Sequence, residues 1–293
     1  MRRHSIIQVS DMHLSESRAY NQRNWEAALA LVNSAAPDLT IFTGDLVLDD
    51  PDVEADHAYA RAQIGRVKGA WLALPGNHDI GDSKPEPYMD QPVSDTRLAL
   101  YRRHFGPDRW LYRLGEWRII GINSLILDSG LADEEKQYDW ISEVTCDDKA
   151  SPTAIFLHKP LFLESFDENI LSHWCVTPHG RKRLWSLLKE MNVRLIACGH
   201  THHFRTMTID GIAIVWAPTT GHIDFDDPIV FTGLRSAGVV RYFFSPNGVE
   251  FGLVIPDGLT TWNAAHLIRE SGSMRNAPLF GTSYSLEARQ NAV

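Results

Sequence analysis

Seven side chains able to hold a divalent ion stand directly after short apolar runs. Asp11-Met12-His13 follows the run 5–9 and Gly44-Asp45 follows 39–43. Gly76-Asn77-His78-Asp79 comes after 70–74, His158 after 153–157, and Gly199-His200-Thr201-His202 after 194–198. The candidate ligands are Asp11, His13, Asp45, Asn77, His158, His200 and His202. A donor set of nitrogen and oxygen without thiolate suits Mn, Fe, Zn or Co and does not distinguish them. Seven donors exceed what one tetrahedral ion takes and suit two ions that share a carboxylate. Such a pair neutralises the oxygens that repel a nucleophile from a phosphate ester, and it lowers the pKa of bound water. A positioned imidazole can then give a proton to the departing alkoxide.

Something must bring these blocks together. The runs 5–9, 39–43, 70–74, 117–123, 153–157, 194–198 and 212–216 read as strands. The runs 238–244 and 249–255 flank Ser245-Pro246-Asn247-Gly248 and read as a hairpin. Helical spacing is visible over 24–35, 96–104, 134–144 and 180–191. Strands separated by helices indicate α/β architecture with a parallel sheet, whose ligands collect at the carboxyl ends of the strands. The stretch 81–93, rich in Pro, Asp and Gly, reads as a loop. Asp49, Asp50, Asp52, Glu54 and Asp56 form an acidic run that reads as a solvated face. No internal repeat is apparent.

In order and spacing, the five blocks closely resemble the calcineurin-like metallophosphoesterases over roughly residues 5 to 255. The resemblance implies a four-layer α-β-β-α sandwich with mixed sheets and a C-terminal β-hairpin. That domain would span 1–256, with 257–293 a tail serving as cap or oligomer contact. By position, Asp11, His13 and His202 resemble the ligands of one ion, and Asn77, His158 and His200 those of a second. Asp45 resembles the bridge, His78 the imidazole that meets the phosphate, and Asp79 the carboxylate that orients His78. The nucleophile so implied is a metal-bound hydroxide.

The short loops around the ligand blocks look like the bacterial branch that includes cyclic-nucleotide and glycerol phosphodiesterases. Arg102-Arg103-His104-Phe105-Gly106-Pro107 is similar to a linker of that branch. His158-Lys159-Pro160-Leu161-Phe162-Leu163 is similar instead to a subgroup with monoesterase activity, and no second His follows His158. The expectation is therefore a small-molecule phosphodiesterase. The other readings are a phosphomonoesterase or protein Ser/Thr phosphatase, a single-metal hydrolase, and a non-catalytic scaffold. His203, His222 and Lys159 are candidate substrate contacts. Phe162, Phe166 and Trp174 either wall a pocket or fill the core.

Bulk properties bound the partners. The chain has 293 residues, 44% apolar and 22% charged, with a net charge of −9. That charge disfavours a long nucleic acid and leaves a small phosphate ester, if cations reverse the local sign. There is no apolar run of membrane-spanning length. The N-terminus leads straight into a strand without a secretory leader, and Cys146, Cys175 and Cys198 are too few and too scattered for a disulfide framework. The expected compartment is the cytoplasm, with a homo-oligomer as the open assembly question.

Overall fold

A computed structural model describes residues 3–83, 90–224, 232–274 and 276. Its central strands are buried on both faces, and successive residues point to different layers. In β1 (His4–Val9) and β2 (Leu39–Thr43), Ile6 and Ile41 enter a core between two sheets, while Ile7 and Phe42 enter a core under helices. The same period of two recurs in β5 (Trp117–Gly121) and β6 (Thr153–Phe156). There Ile119 and Ala154 face the first core, whereas Ile120 and Ile155 face a third.

The first sheet has the order β11-β10-β1-β2-β3, with β3 at Trp71–Leu74, β10 at Val239–Ser245 and β11 at Gly248–Val254. The second runs β4-β5-β6-β7-β9-β8, with β4 at Trp110–Leu114, β7 at Val193–Cys198, β8 at Arg205–Ile209 and β9 at Ile212–Trp216. Strands β1, β2 and β3 are parallel to one another, as are β5, β6, β7 and β9, and antiparallel strands close the edges. The expected hairpin is β10-β11, paired from Val239–Val254 to Ser245–Gly248.

Helices cover the outer faces. On the first sheet lie α1 (Gln22–Ala35), α2 (Glu54–Ile64) and α4 (Asp95–Phe105), with the single turn α3 (Asn77–Ile80) at its edge. On the second lie α5 (Ala132–Asp147) and α6 (Pro178–Leu188). Helix α4 starts at Ser94, whose hydroxyl accepts from Arg97 N–H, and α6 at Thr177, whose hydroxyl accepts from Gly180 N–H ahead of Pro178. The result is a four-layer α-β-β-α sandwich.

That is the sandwich the family resemblance implies, while three readings made from the residues alone change. The parallel strands fall in two sheets, so the ligand blocks meet where two sheet edges adjoin rather than along one. The edge strands β4 and β8 were not expected; their mixed burial gives a weak pattern. The acidic run is only partly a solvated face: Asp52 and Glu54 are exposed, but Asp49 and Asp56 are buried, and Glu54 and Asp56 sit in the first turn of α2, where the helix dipole favours them. Beyond Asp257, residues up to 274 include α7 (Ala265–Ser271) and a small core of Tyr20, Leu48, Trp262, Leu267 and Met274. Residues 277–293 of the tail and 84–89 of the expected loop lie outside the described residues.

Candidate metal centre

The loops after β1, β2, β3, β6 and β7 converge. Asp45 lies between two sets of donors: Asp11, His13 and His202 on one side, His158 and His200 on the other, with ligand atoms of each set within 4.8 Å of one another. Asp45 Oδ2 is 3.8 Å from His13 Nε2 and 3.5 Å from His158 Nε2. Asn77 joins the second set through Oδ1, 3.1 Å from His158 Nε2. All seven candidate ligands are thus in one place.

The backbone that presents them is unusual. Asp11, His13, Asp45, His200 and His202 all have positive φ, between 48° and 70°. L-residues adopt this left-handed region at a cost of order 1 kcal/mol each, and such residues cluster at functional sites. Here it lets Asp11 and His13, two residues apart, aim at the same point, and sends His200 and His202 to opposite sides of Asp45. Two glycines make room. A Cβ on Gly76 would stand 2.1 Å from Asp45 Oδ1, and one on Gly199 1.9 Å from Ser10 Oγ.

Outer hydrogen bonds select which ring nitrogen faces inward. His13 Nδ1–H donates to Leu48 O (2.8 Å) and His158 Nδ1–H to Thr43 O (2.7 Å), so both Nε2 atoms point in. His200 is reversed: Nε2–H donates to His173 O (2.9 Å), leaving Nδ1 inward. The inward nitrogens then meet in pairs, His13 with His202 at 3.1 Å and His158 with His200 at 3.2 Å. Two lone pairs at that distance repel unless one positive centre lies between them. A cation fits: two nitrogens each about 2.1 Å from one ion are about 3.0–3.4 Å apart at octahedral or tetrahedral angles. A proton is the other occupant. Burial pulls His158 down, but the charge and hydrogen bond of Asp45, with the Asp11 charge and the bond to Thr43, together outweigh it and raise the ring to about 9. Burial holds His200 well below its usual value, with His158 adding to the effect. The second pair repeats the division. Burial takes His13 down to about 3, while His202 is raised because its hydrogen bond to Asp11 and that charge exceed its burial. The donor set therefore suits divalent ions, held where each pair would otherwise share a proton.

The remaining candidates separate. His78 lines the cavity, its backbone N–H donating to Asp45 Oδ1 (2.9 Å) and its Nε2 lying 3.8 Å from Asp45 Oδ2. Asp79 does not orient His78. Its carboxylate accepts from the backbone N–H of Leu46 (2.9 Å), Val47 (3.0 Å) and Gly76 (2.7 Å), tying the β2 loop to the β3 loop. Burial, then the Asp45 charge, raise it to about 6 against those bonds. Lys159 is neither a substrate contact nor a solvated lysine. It is wholly buried, with Nζ 2.6 Å from Asp82 Oδ1. His203 and His222 both line the cavity. His203 accepts from Arg235 Nε (3.0 Å) and donates to Thr201 O, and the His222 ring lies 4.7 Å from His13.

The cavity is about 300 Å³ and also takes in Asp49, His173, Trp174, Asp224, Ile268 and Met274. Of these, Asp49 was hidden in the acidic run, and the last three lie where the sequence carries no recognisable motif. Phe162 and Phe166 fill the core against Trp185, whereas Trp174 reaches the cavity. Among the described residues no helix is long and apolar enough to cross a membrane.

Comparison with known proteins agrees with this geometry. Residues 4–204 match the family described as calcineurin-like phosphoesterase. The chain is 26% identical over 272 residues to a probable glycerophosphodiester phosphodiesterase of Arcobacter nitrofigilis, covering 87% of this chain and 91% of that one. To the 3',5'-cyclic adenosine monophosphate phosphodiesterase of Escherichia coli K12 it is 24% identical over 226 residues, 73% and 75% of the two chains. A purple acid phosphatase from yellow lupin seeds has the same fold, with a TM-score of 0.62 at 15% identity over 86% of this chain and 52% of that one.

Proposed function

We propose that this chain, which belongs to the calcineurin-like phosphoesterase family, is a phosphodiesterase of small molecules that works with two divalent ions. As a member of that family it is a metal-dependent hydrolase of phosphoric esters. The number of ions and the diester preference are the proposed part. The observation that carries the first is Asp45, placed between two pairs of inward-facing imidazole nitrogens. Asp11, His13 and His202 would hold one ion, Asn77, His158 and His200 the other, and Asp45 both. Ions bound there would supply positive charge for the phosphoryl oxygens and acidify water.

The chain's own residues do the rest. Asp11 and Asp45 balance the cations and fix the loops, Asp45 through the His78 N–H and Asp11 through the His200 N–H (3.1 Å). His78, beside Asp45 at the cavity wall, carries the ring N–H offered to the leaving oxygen. His222 and His203 are placed to meet substrate oxygens. The diester preference is supported by the phosphodiesterase activities for which the two relatives are named and by the extent of their match. The net charge of −9 favours a small ester over a nucleic acid. All three cysteines are free, which fits a reducing compartment such as the cytoplasm.

The test compares bis(p-nitrophenyl) phosphate with p-nitrophenyl phosphate in added Mn, alongside metal analysis of the purified protein. The reading expects faster turnover of the diester and two ions per chain at full activity. Much faster cleavage of the monoester would overturn the diester preference, and full activity at one ion per chain would overturn the shared role of Asp45.

A further inference from the structure

We propose that Ile268 and Met274 form a wall against which the retained organic group of the ester packs, and that this wall selects esters whose retained group is aryl or otherwise apolar. The inference rests on the phosphodiesterase reading of the Asp45 cavity. That cavity has two chemical characters. Asp45, Asn77, His78 and the ligating imidazoles supply its polar part, while Leu48, Trp174, Ile268 and Met274 supply apolar surface in the same 300 Å³ space. A phosphodiester has the same division: a charged centre that needs cations and donors, and an organic group that does not leave.

The wall is built in, not draped over the site. Asn24 grips the segment that carries it, donating from Nδ2 to Thr260 O (2.9 Å) and accepting from Thr260 N–H (3.0 Å). Ile223 N–H donates to Trp262 O (3.0 Å), and Ala264 N–H returns a bond to Ile223 O (2.9 Å). Met274 is buried in one small core with Leu48 and Trp262, and Ile268 packs against it. Leu48 is also the residue whose carbonyl holds His13. Leu48 therefore touches both the wall and the metal centre. Both side chains fall outside the residues 4–204 that match the family. The matched portion carries the hydrolytic groups, and this later segment supplies the surface that can distinguish one ester from another.

Two matched pairs of probes read the wall. Bis(p-nitrophenyl) phosphate and p-nitrophenyl methyl phosphate release the same leaving group and differ only in the group retained. Phenylphosphonate and methylphosphonate, as competitive inhibitors, differ in the same way and require no diester turnover. In the wild-type protein the aryl member of each pair should be favoured about tenfold or more, in kcat/KM or in 1/Ki. Ile268→Ala and Met274→Ala should each cut that ratio severalfold, and Ile268→Val and Met274→Leu should restore most of it. A general loosening of the fold would lower both members of a pair together and leave the ratio in place. An absent aryl preference in wild type, or a ratio that survives both alanine variants, would overturn the wall. A wild type that cleaves p-nitrophenyl phosphate but neither diester would overturn the phosphodiesterase reading instead, and the phosphonate ratio would still decide the wall.

Discussion

Loading the centre with metal should expel protons, and the pattern of imidazole pKa values says which ones. His158 is raised to about 9 because the Asp45 carboxylate, 3.5 Å away, together with the Asp11 charge and the bond to Thr43, outweighs burial. At pH 7 a group with that pKa is about 99% protonated. The cation needs the same Nε2 lone pair, so entry into the Asn77–His158–His200 group displaces this proton. His200 and His13 are held below neutral and give up none. His202 is raised and adds a further contribution. Below the His158 pKa, each unit of acidification should weaken apparent affinity about tenfold, or about a hundredfold from pH 8 to pH 6. Calorimetric titration of metal-free protein with Mn, in two buffers of different ionisation enthalpy, counts the protons. In Asp45→Asn, the main opposition to burial is removed and the His158 pKa should fall from its raised value, which NMR of the imidazole resonances reads without metal. No proton release at pH 7, or an affinity that is flat between pH 6 and 8, would refute the pairing of one proton or one cation between facing nitrogens.

Three further outcomes follow from particular contacts. Gly76→Ala would place a methyl 2.1 Å from Asp45 Oδ1, so bound metal per chain and activity should fall together while the circular dichroism of the fold is retained. Lys159→Met strands the Asp82 carboxylate in the interior and should cost about 3–5 kcal/mol in denaturant unfolding, while Lys159→Met with Asp82→Asn should recover most of it. A single variant as stable as wild type would show that the pair is not buried as described. His78→Ala should lower kcat by about 10²–10⁴ with metal content unchanged; a loss of metal in parallel would make His78 a ligand instead of a proton donor.

The ligands were legible because each follows a short, largely apolar strand whose last residues are buried. Residue type and position then coincide. What was not legible depended on pairing in space. Neither 110–114 nor 205–209 carries a clean strand pattern, because burial is mixed along the first and no residue of the second is fully buried. The division into two sheets is decided by which strands hydrogen-bond, not by any strand's own pattern. Asp79 and Lys159 show the same limit. Both stand beside motif residues, yet one carboxylate holds backbone amides and the ammonium closes a buried ion pair, neither of which adjacency in sequence reveals. Charges at 49–56 were misread in part, at Asp49 and Asp56, because a helix start and a solvated face have the same composition.

The left-handed backbone at Asp11, His13, Asp45, His200 and His202 has one more consequence. Conformations that the chain would not choose locally are imposed here by the packed sheets, so the centre is a rigid mould cast before any ion arrives. A mould of mixed nitrogen and oxygen donors grades first-row ions by intrinsic affinity and adds little preference of its own. Which metal fills it is then written in the cell's traffic of metals and not in this sequence.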